Sequence, residues 1–104
     1  MSVQTEIDVR NPSGLHARPA AVFVRTASSF SADIRVGNLT TGGPAVSAKS
    51  ILAVLGLGVS AGHRIRIVAD GTDADAATVA LETLVQAGLG ESIEGGSGSA
   101  RDRG

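Results

Sequence analysis

The sequence predicts an α+β fold, an open-faced sandwich in which a four-stranded antiparallel sheet is covered on one face by three helices. The hydrophobic period switches between two residues and about 3.6 residues, in the order β-α-β-β-α-β-α. Each predicted strand has apolar side chains on one face only, which is typical of a sheet with helices on one side and water on the other. The 104 residues suffice for one compact domain.

The first strand and the first helix follow from a change of hydrophobic period. Apolar and polar residues alternate over residues 3–10, and the inward face is expected to carry Val3, Thr5, Ile7 and Val9. The turn-forming run "NPSG" at residues 11–14 ends this strand. The spacing then becomes helical over residues 17–27, and the predicted inward stripe, with Phe23 beside it, consists of Ala17, Ala20, Ala21, Val24 and Ala27.

The middle of the chain is predicted to form a hairpin and a short helix. Alternation over residues 32–36 indicates a strand. The turn "TGGP" at residues 41–44 leads into a short strand at residues 45–48, which we expect to pair back with it. Residues 49–55 then predict a helix of about two turns.

A strand and the longest helix complete the pattern. Alternation over residues 64–70 predicts a strand whose inward residues are Ile65, Ile67 and Ala69. Residues 73–87 predict a helix that Thr72 or Asp73 could cap, with Gly88 just past its end. Its predicted inward stripe consists of Val79, Ala80, Leu84 and Val85.

Composition bounds the domain and its function class. Glycine, serine and charge dominate from residue 92, so we expect one domain over residues 1–91 and a disordered tail over residues 92–104. The net charge of −1 argues against a nucleic-acid binder, and the absence of cysteine excludes disulfides and thiolate metal sites. Without a signal peptide or membrane span, a soluble, monomeric cytoplasmic protein that needs no metal or cofactor is expected.

The stretch "GLHARPA" at residues 14–20 indicates a site for phosphate. Pro19 falls in the first turn of the predicted helix, where a missing N–H costs no hydrogen bond. His16 therefore lies beside the free N–H groups of a helix N-terminus, which attract anions. Arg18 can reach the same anion, and an imidazole nitrogen there can attack a phosphoryl group.

Other interpretations of the two histidines remain open from the residues alone. A lone histidine near a helix start is more often a cap or a surface residue than a nucleophile. Nothing ties a serine to His16 as a catalytic triad requires. A metal site would need His63 nearby and a third ligand, and we interpret His63 as a surface residue.

Three blocks, "NPSGLHARPA", "VSAKSILAVLGLGVSAG" and "VADGTDADAA", resemble the HPr phosphocarrier family of the bacterial phosphoenolpyruvate:sugar phosphotransferase system in order and spacing. The resemblance runs from about Val3 to Glu91 and implies the fold predicted above. It implies that His16 accepts a phosphoryl group from enzyme I on Nδ1 and passes it to a sugar-specific IIA domain. By position, Arg18 and the backbone N–H groups of Ala17 and Arg18 hold the phosphate. Such a chain is a carrier in a relay rather than an enzyme with its own substrate pocket.

The short helix carries two further candidate sites. Ser50 matches the regulatory serine that a dedicated kinase phosphorylates in some bacteria, but we favour a role as helix cap. The helix has more apolar residues than two turns can bury, and its spacing places Val54 and Leu57 inward. The remainder could dock partners with acidic faces, so the predicted docking residues are Ala21, Arg25, Lys49, Ile51, Leu52 and Leu55.

Two alternatives to a stand-alone carrier remain. The runs "VGNLTTGGPAVSAKS" and "GHRIRIVADG" also resemble the HPr-like domain in the multidomain phosphotransfer subunit of dihydroxyacetone kinase. The other alternative is a regulatory module that controls a transcription factor or an enzyme by docking, and its function would survive loss of His16.

Overall fold

Four strands and three helices follow one another in the predicted order. A computed structural model describes residues 2–91, and its elements are β1 (Ser2–Asp8), α1 (Ala17–Ser28), β2 (Asp33–Asn38), β3 (Val46–Ser47), α2 (Ile51–Gly56), β4 (Arg64–Asp70) and α3 (Ala74–Gln86). The predicted bounds were close. The largest differences are of two residues: β1 ends earlier than predicted, β2 ends later, and α2 begins later, after Ser50. The tail predicted over residues 92–104 lies outside the described residues.

The strands form one antiparallel sheet in the order β1-β4-β2-β3. In this sheet Ile7 is opposite Ile65, and Val36 is opposite Ile67. These residues share one face, so cross-strand pairs of β-branched side chains build a continuous apolar surface. The predicted antiparallel open-faced sandwich is therefore confirmed, including the β2–β3 hairpin.

The helices bury the apolar face of the sheet. The inward residues of β2 and β4 are almost fully buried, as their alternation predicted. Phe23 is the largest fully buried side chain and lies at the centre of the buried face of α1, not beside it. Ala17, which we placed in the inward stripe, is exposed, and Ala21 and Val24 are only half-buried. None of the helices in residues 2–91 is long and apolar enough to cross a membrane.

The predicted inward stripe of α3 was right at Val85 and wrong at Val79. The buried residues are Ala74, Ala77, Thr78, Leu81 and Val85, whereas Val79 is 62% exposed. Ala80 and Leu84 are half-buried at the edge of this face. The helix has apolar residues on two sides, and its packing against β1, β4 and α1 decides which side is buried.

Asp73 occupies the N-cap position of α3 but does not cap the helix with its side chain. Its carboxylate instead accepts hydrogen bonds from the N–H groups of Ser31 and Ala32, both at 2.8 Å. These two bonds lower the pKa of Asp73 below its ordinary value, first through Ser31. The residue predicted to cap α3 therefore holds the loop before β2 by long-range hydrogen bonds.

Candidate functional site

The loop before His16 is held against residues 59–60. Gly14 has φ +62°, and a Cβ atom there would lie 2.2 Å from the carbonyl oxygen of Val59, so only glycine fits. The N–H of Leu15 donates to the same carbonyl at 3.0 Å. Leu15 itself is fully buried. The two residues that precede His16 are therefore held in place by their contacts with Val59.

His16 lies at the N-cap of α1, as predicted. Its backbone is extended (φ −131°, ψ 162°), and Ala17 turns the chain into the helix with φ +52°. That left-handed conformation costs a residue with a Cβ atom on the order of 1–3 kcal/mol. The His16 imidazole is exposed and has no hydrogen-bond partner among residues 2–91. The ring is thus free to react, because it does not cap its own helix.

The first turn of α1 offers donors to an anion. The N–H groups of Ala17 and Arg18 have no partner within the helix, because no helical carbonyl group precedes the first turn to accept their hydrogen bonds. The first bond back to His16 comes from Ala20, whose N–H lies 3.4 Å from the His16 carbonyl oxygen. Pro19 fills the third position, has no N–H and is buried. No acidic residue occupies this turn, so the positive end of the helix is not neutralised.

Arg18 is exposed beside this N-terminus. Its guanidinium forms no ion pair within residues 2–91, unlike those of Arg64 and Arg66, which pair with carboxylates across the open face of the sheet. A guanidinium without a partner can turn toward an anion held at the helix end. The structure therefore brings together the predicted imidazole, two N–H donors and one free cation at one solvent-exposed position.

Ser50 caps α2. Its Oγ accepts a hydrogen bond from the N–H of Ala53 at 3.2 Å, which is the geometry of a helix N-cap. The favoured interpretation of Ser50 as a capping residue is confirmed. A regulatory role for Ser50 remains a prediction.

The predicted docking residues lie on α1 and α2, which pack against each other, except Lys49, which lies in the turn before α2. We name Ile51, Leu52 and Leu55 the α2 patch. Leu52 is 79% exposed and Ile51 is 39% exposed, whereas Leu55 is half-buried against the core. Arg25 is exposed in the last turn of α1 and Ala21 is half-buried. The apolar side chains that α2 does not bury thus lie on one helix and Arg25 lies on the helix packed against it, where its guanidinium forms no ion pair within residues 2–91. The inward residues of α2 are Val54, which is buried, and Leu57, which is half-buried.

Lys49 and His63 have partners that the sequence did not predict. The Lys49 Nζ donates to the carbonyl oxygen of Phe30 at 2.7 Å, so this ammonium links the turn before α2 to the loop that follows α1. His63 is half-buried, and its Nδ1 accepts the N–H of Ser60 and lies 3.1 Å from the Asn38 side-chain nitrogen. His63 is therefore partly exposed at the surface, as interpreted, but its ring also contacts Ser60 and Asn38.

Sequence reasoning missed Glu91. Its carboxylate contacts Asn11 and Ser13, in the loop that leads to His16. Those bonds, with that from Asn11 the largest cause, lower the pKa of Glu91 below its ordinary value. No local signal could have found this contact, since about 80 residues separate the partners along the chain.

The comparisons with known proteins agree with this geometry. Residues 3–87 match the family model described as "PTS HPr component phosphorylation site". The phosphocarrier protein HPr of Haloferax volcanii is 45% identical over 83 residues, which are 80% of this chain and 92% of that protein. The crystal structure of an HPr from Thermoanaerobacter tengcongensis superposes with a TM-score of 0.81 at 42% identity, covering 86% of this chain and 98% of that one.

Larger proteins also contain a similar segment. A multiphosphoryl transfer protein of Vibrio cholerae is 47% identical over 83 residues, which are 80% of this chain. The matched segment spans only 21% of that protein, and 17 to 24% of the multiphosphoryl transfer proteins of other bacteria. The match over nearly all of a single-domain HPr, together with the shared sheet and helices, establishes that this chain belongs to the HPr family of the phosphotransferase system.

Proposed function

We propose that this HPr phosphocarrier domain accepts a phosphoryl group from phospho-enzyme I on His16 and passes it to a IIA-type domain. The observation that carries the proposal is the exposed His16 ring, without a hydrogen-bond partner in residues 2–91, at a helix end whose N–H groups are free. A carrier must expose its nucleophile to two partners in turn, and an open helix end allows this.

The transfer is a substitution at phosphorus. The lone pair of the His16 Nδ1 forms a new P–N bond while the P–N bond to the donor's histidine breaks, and the donor nitrogen keeps the electron pair. The attack needs the lone pair on Nδ1, so the reacting tautomer is the one that carries its ring proton on Nε2. The second transfer runs the same exchange in the other direction, with the acceptor's nucleophile attacking the phosphorus and the pair returning to Nδ1.

The surroundings of His16 stabilise the transferred group. The N–H groups of Ala17 and Arg18 and the Arg18 guanidinium supply donors where negative charge gathers on the phosphoryl oxygens. These groups hold the anion without covalent chemistry, so both the arrival and the departure of the phosphoryl group remain possible.

The α2 patch and Arg25 form the proposed docking surface for enzyme I and IIA partners. Ile51 and Leu52 are already exposed, so they lose no core contacts on binding, and the Arg25 cation on the adjacent helix suits an acidic partner face. Ser50 lies at the start of the same helix, so a kinase that phosphorylated it would place two negative charges beside this surface.

The test is incubation with enzyme I and labelled phosphoenolpyruvate. We expect one label per chain on His16, lost in acid and retained in alkali, as a phosphoramidate behaves. The chain has two histidines, so His63→Gln is the matched control for His16→Ala. Label that survives acid, or that persists in His16→Ala, contradicts the proposal.

A second candidate function is to act as the HPr domain of a multidomain phosphotransfer protein. It is favoured by the match to a segment that makes up about a fifth of the length of a larger multiphosphoryl transfer protein. The phosphotransfer subunit of dihydroxyacetone kinase is one such context. The chemistry at His16 is the same, and genome neighbourhood separates the two contexts. Adjacent sugar permease genes support the stand-alone carrier, whereas adjacent dihydroxyacetone kinase genes support the domain.

A further inference from the structure

The last residue of the described chain reaches back to the loop that precedes His16. Glu91 Oε1 accepts hydrogen bonds from the Asn11 side-chain nitrogen at 2.9 Å and from the Ser13 N–H at 3.0 Å. The other carboxylate oxygen accepts from the Ser13 hydroxyl at 2.7 Å. One side chain thus satisfies three donors of residues 11–13.

Asn11 transmits this contact to Gly14. Asn11 is fully buried, and its NH₂ group donates both to Glu91 and to the carbonyl oxygen of Gly14 at 3.0 Å. Its Oδ1 is buried without a partner in the described residues, so the NH₂ group alone holds the side chain in place. Removing the Glu91 acceptor would leave a buried N–H unsatisfied, which favours rotation of the amide away from Gly14.

Gly14 in turn directs the chain into His16. Its N–H donates to the Asn11 carbonyl oxygen at 3.1 Å, and the next N–H, that of Leu15, donates to Val59 at 3.0 Å. The backbone therefore has fixed points immediately before the extended His16. A loop that loses one of them samples orientations of the imidazole that do not suit in-line transfer.

We propose that Glu91 is a positioning residue for phosphoryl transfer, which acts by fixing residues 11–14 and through them the direction of His16. This inference rests on the proposed role of His16 as acceptor. Glu91 does not touch the transferred group. It sets the fraction of time in which the His16 ring is aligned, and it links the end of the domain to the site.

Hydrogen exchange tests the positioning without any phosphorylation. In Glu91→Ala, we expect the Gly14 and Leu15 amides to exchange about tenfold faster, while amides of β4 keep their protection. Glu91→Gln should restore protection, because its oxygen can accept from Asn11 and from the Ser13 N–H while its NH₂ donates to the Ser13 hydroxyl. Glu82→Ala removes a carboxylate from α3 that makes none of these contacts, and it is the matched control.

Single-turnover transfer from phospho-enzyme I tests the consequence. Glu91→Ala should transfer about tenfold more slowly at saturation, equivalent to ~1.4 kcal/mol. Its half-saturating concentration should stay unchanged, because the α2 patch is intact, and Glu91→Gln should transfer at the wild-type rate. Unaltered exchange and transfer in Glu91→Ala, general loss of protection through β4, or failure of Glu91→Gln to restore the rate would each overturn the inference. A wild-type chain that takes no phosphate on His16 refutes the proposed function instead, whatever the exchange result.

Discussion

Replacing Leu52 with serine separates docking from folding. Leu52 is 79% exposed, so its side chain contributes little to the core. A substitution at such a position changes the free energy of unfolding by less than ~0.5 kcal/mol. We therefore expect Leu52→Ser to melt within a few degrees of the wild type, while its phosphorylation by enzyme I weakens.

The size of the binding effect follows from the exposed fraction. Complete burial of a leucine side chain contributes about 1.5–3 kcal/mol. If the partner covers the 79% that is exposed, about four fifths of that value is lost in the variant, or ~1.2–2.4 kcal/mol. This corresponds to a roughly 7- to 50-fold higher Michaelis constant, since ~1.4 kcal/mol is tenfold.

The assay is the initial rate of His16 labelling by enzyme I as a function of carrier concentration. Val79→Ser is the matched control, because Val79 is an apolar residue of α3 with 62% exposure and lies outside the α2 patch. A wild-type Michaelis constant for Leu52→Ser, or an equal rise for Val79→Ser, would show that the α2 patch is not the docking surface.

Four further substitutions, at three positions, test the proposed roles of Arg18, Ser50 and Asp73. Arg18→Ala should slow phosphoryl transfer to and from His16 without changing the melting temperature, because the Arg18 charge acts only on the phosphoryl group. Transfer rates equal to those of the wild type would show that Arg18 is only a solvated helix residue. Ser50→Ala should destabilise by about 1 kcal/mol in a thermal melt through loss of the cap, whereas Ser50→Asp should keep the fold and raise the Michaelis constant. The pKa of Asp73 is lowered from its ordinary value of 3.8. Its carboxylate therefore stabilises the fold above pH 3.8, and this stabilisation is lost as the pH falls from there through the lowered pKa. In Asp73→Asn the free energy of unfolding should therefore fall less steeply at acidic pH than in the wild type. An unchanged pH dependence would contradict the role given to the Asp73 carboxylate.

Local signals were sufficient for most of the fold. Alternation in β2 and β4 identified the buried face, because each strand has a single apolar side. The helical period placed the start of α1 near His16 or Ala17, and Pro19 agreed with this because a proline is tolerated in the first turn and not beyond it. The strand order β1-β4-β2-β3 could not be predicted, because it depends on which strands meet in space.

Long-range contacts explain what sequence reasoning missed. In α3, Val79 and Leu81 are both apolar, and only packing against the sheet shows that Leu81 is the buried one. Asp73 has the residue type of a cap, yet its carboxylate is used by a loop about 40 residues away. Lys49 was predicted as a docking residue, and its residue type gave no sign that its ammonium donates to the carbonyl oxygen of Phe30.

The candidate site also has features that local sequence predicts and one that depends on a long-range contact. The short spacing in "GLHARPA" was enough to predict the exposed imidazole and the free N–H donors, because all of them depend on one helix start. The contact of Glu91 with Asn11 and Ser13 has no counterpart in local sequence, so it emerged only from the folded chain.

The position of the phosphoryl group on the imidazole is the most direct test of the central claim. After incubation with enzyme I and phosphoenolpyruvate, a long-range proton–nitrogen spectrum resolves the ring nitrogens of both histidines. The account predicts that the Nδ1 signal of His16 shifts on phosphorylation, while the His63 nitrogens keep their positions. Phosphate on Nε2 of His16, on His63 or on Ser50, with the Nδ1 of His16 unchanged, would contradict it.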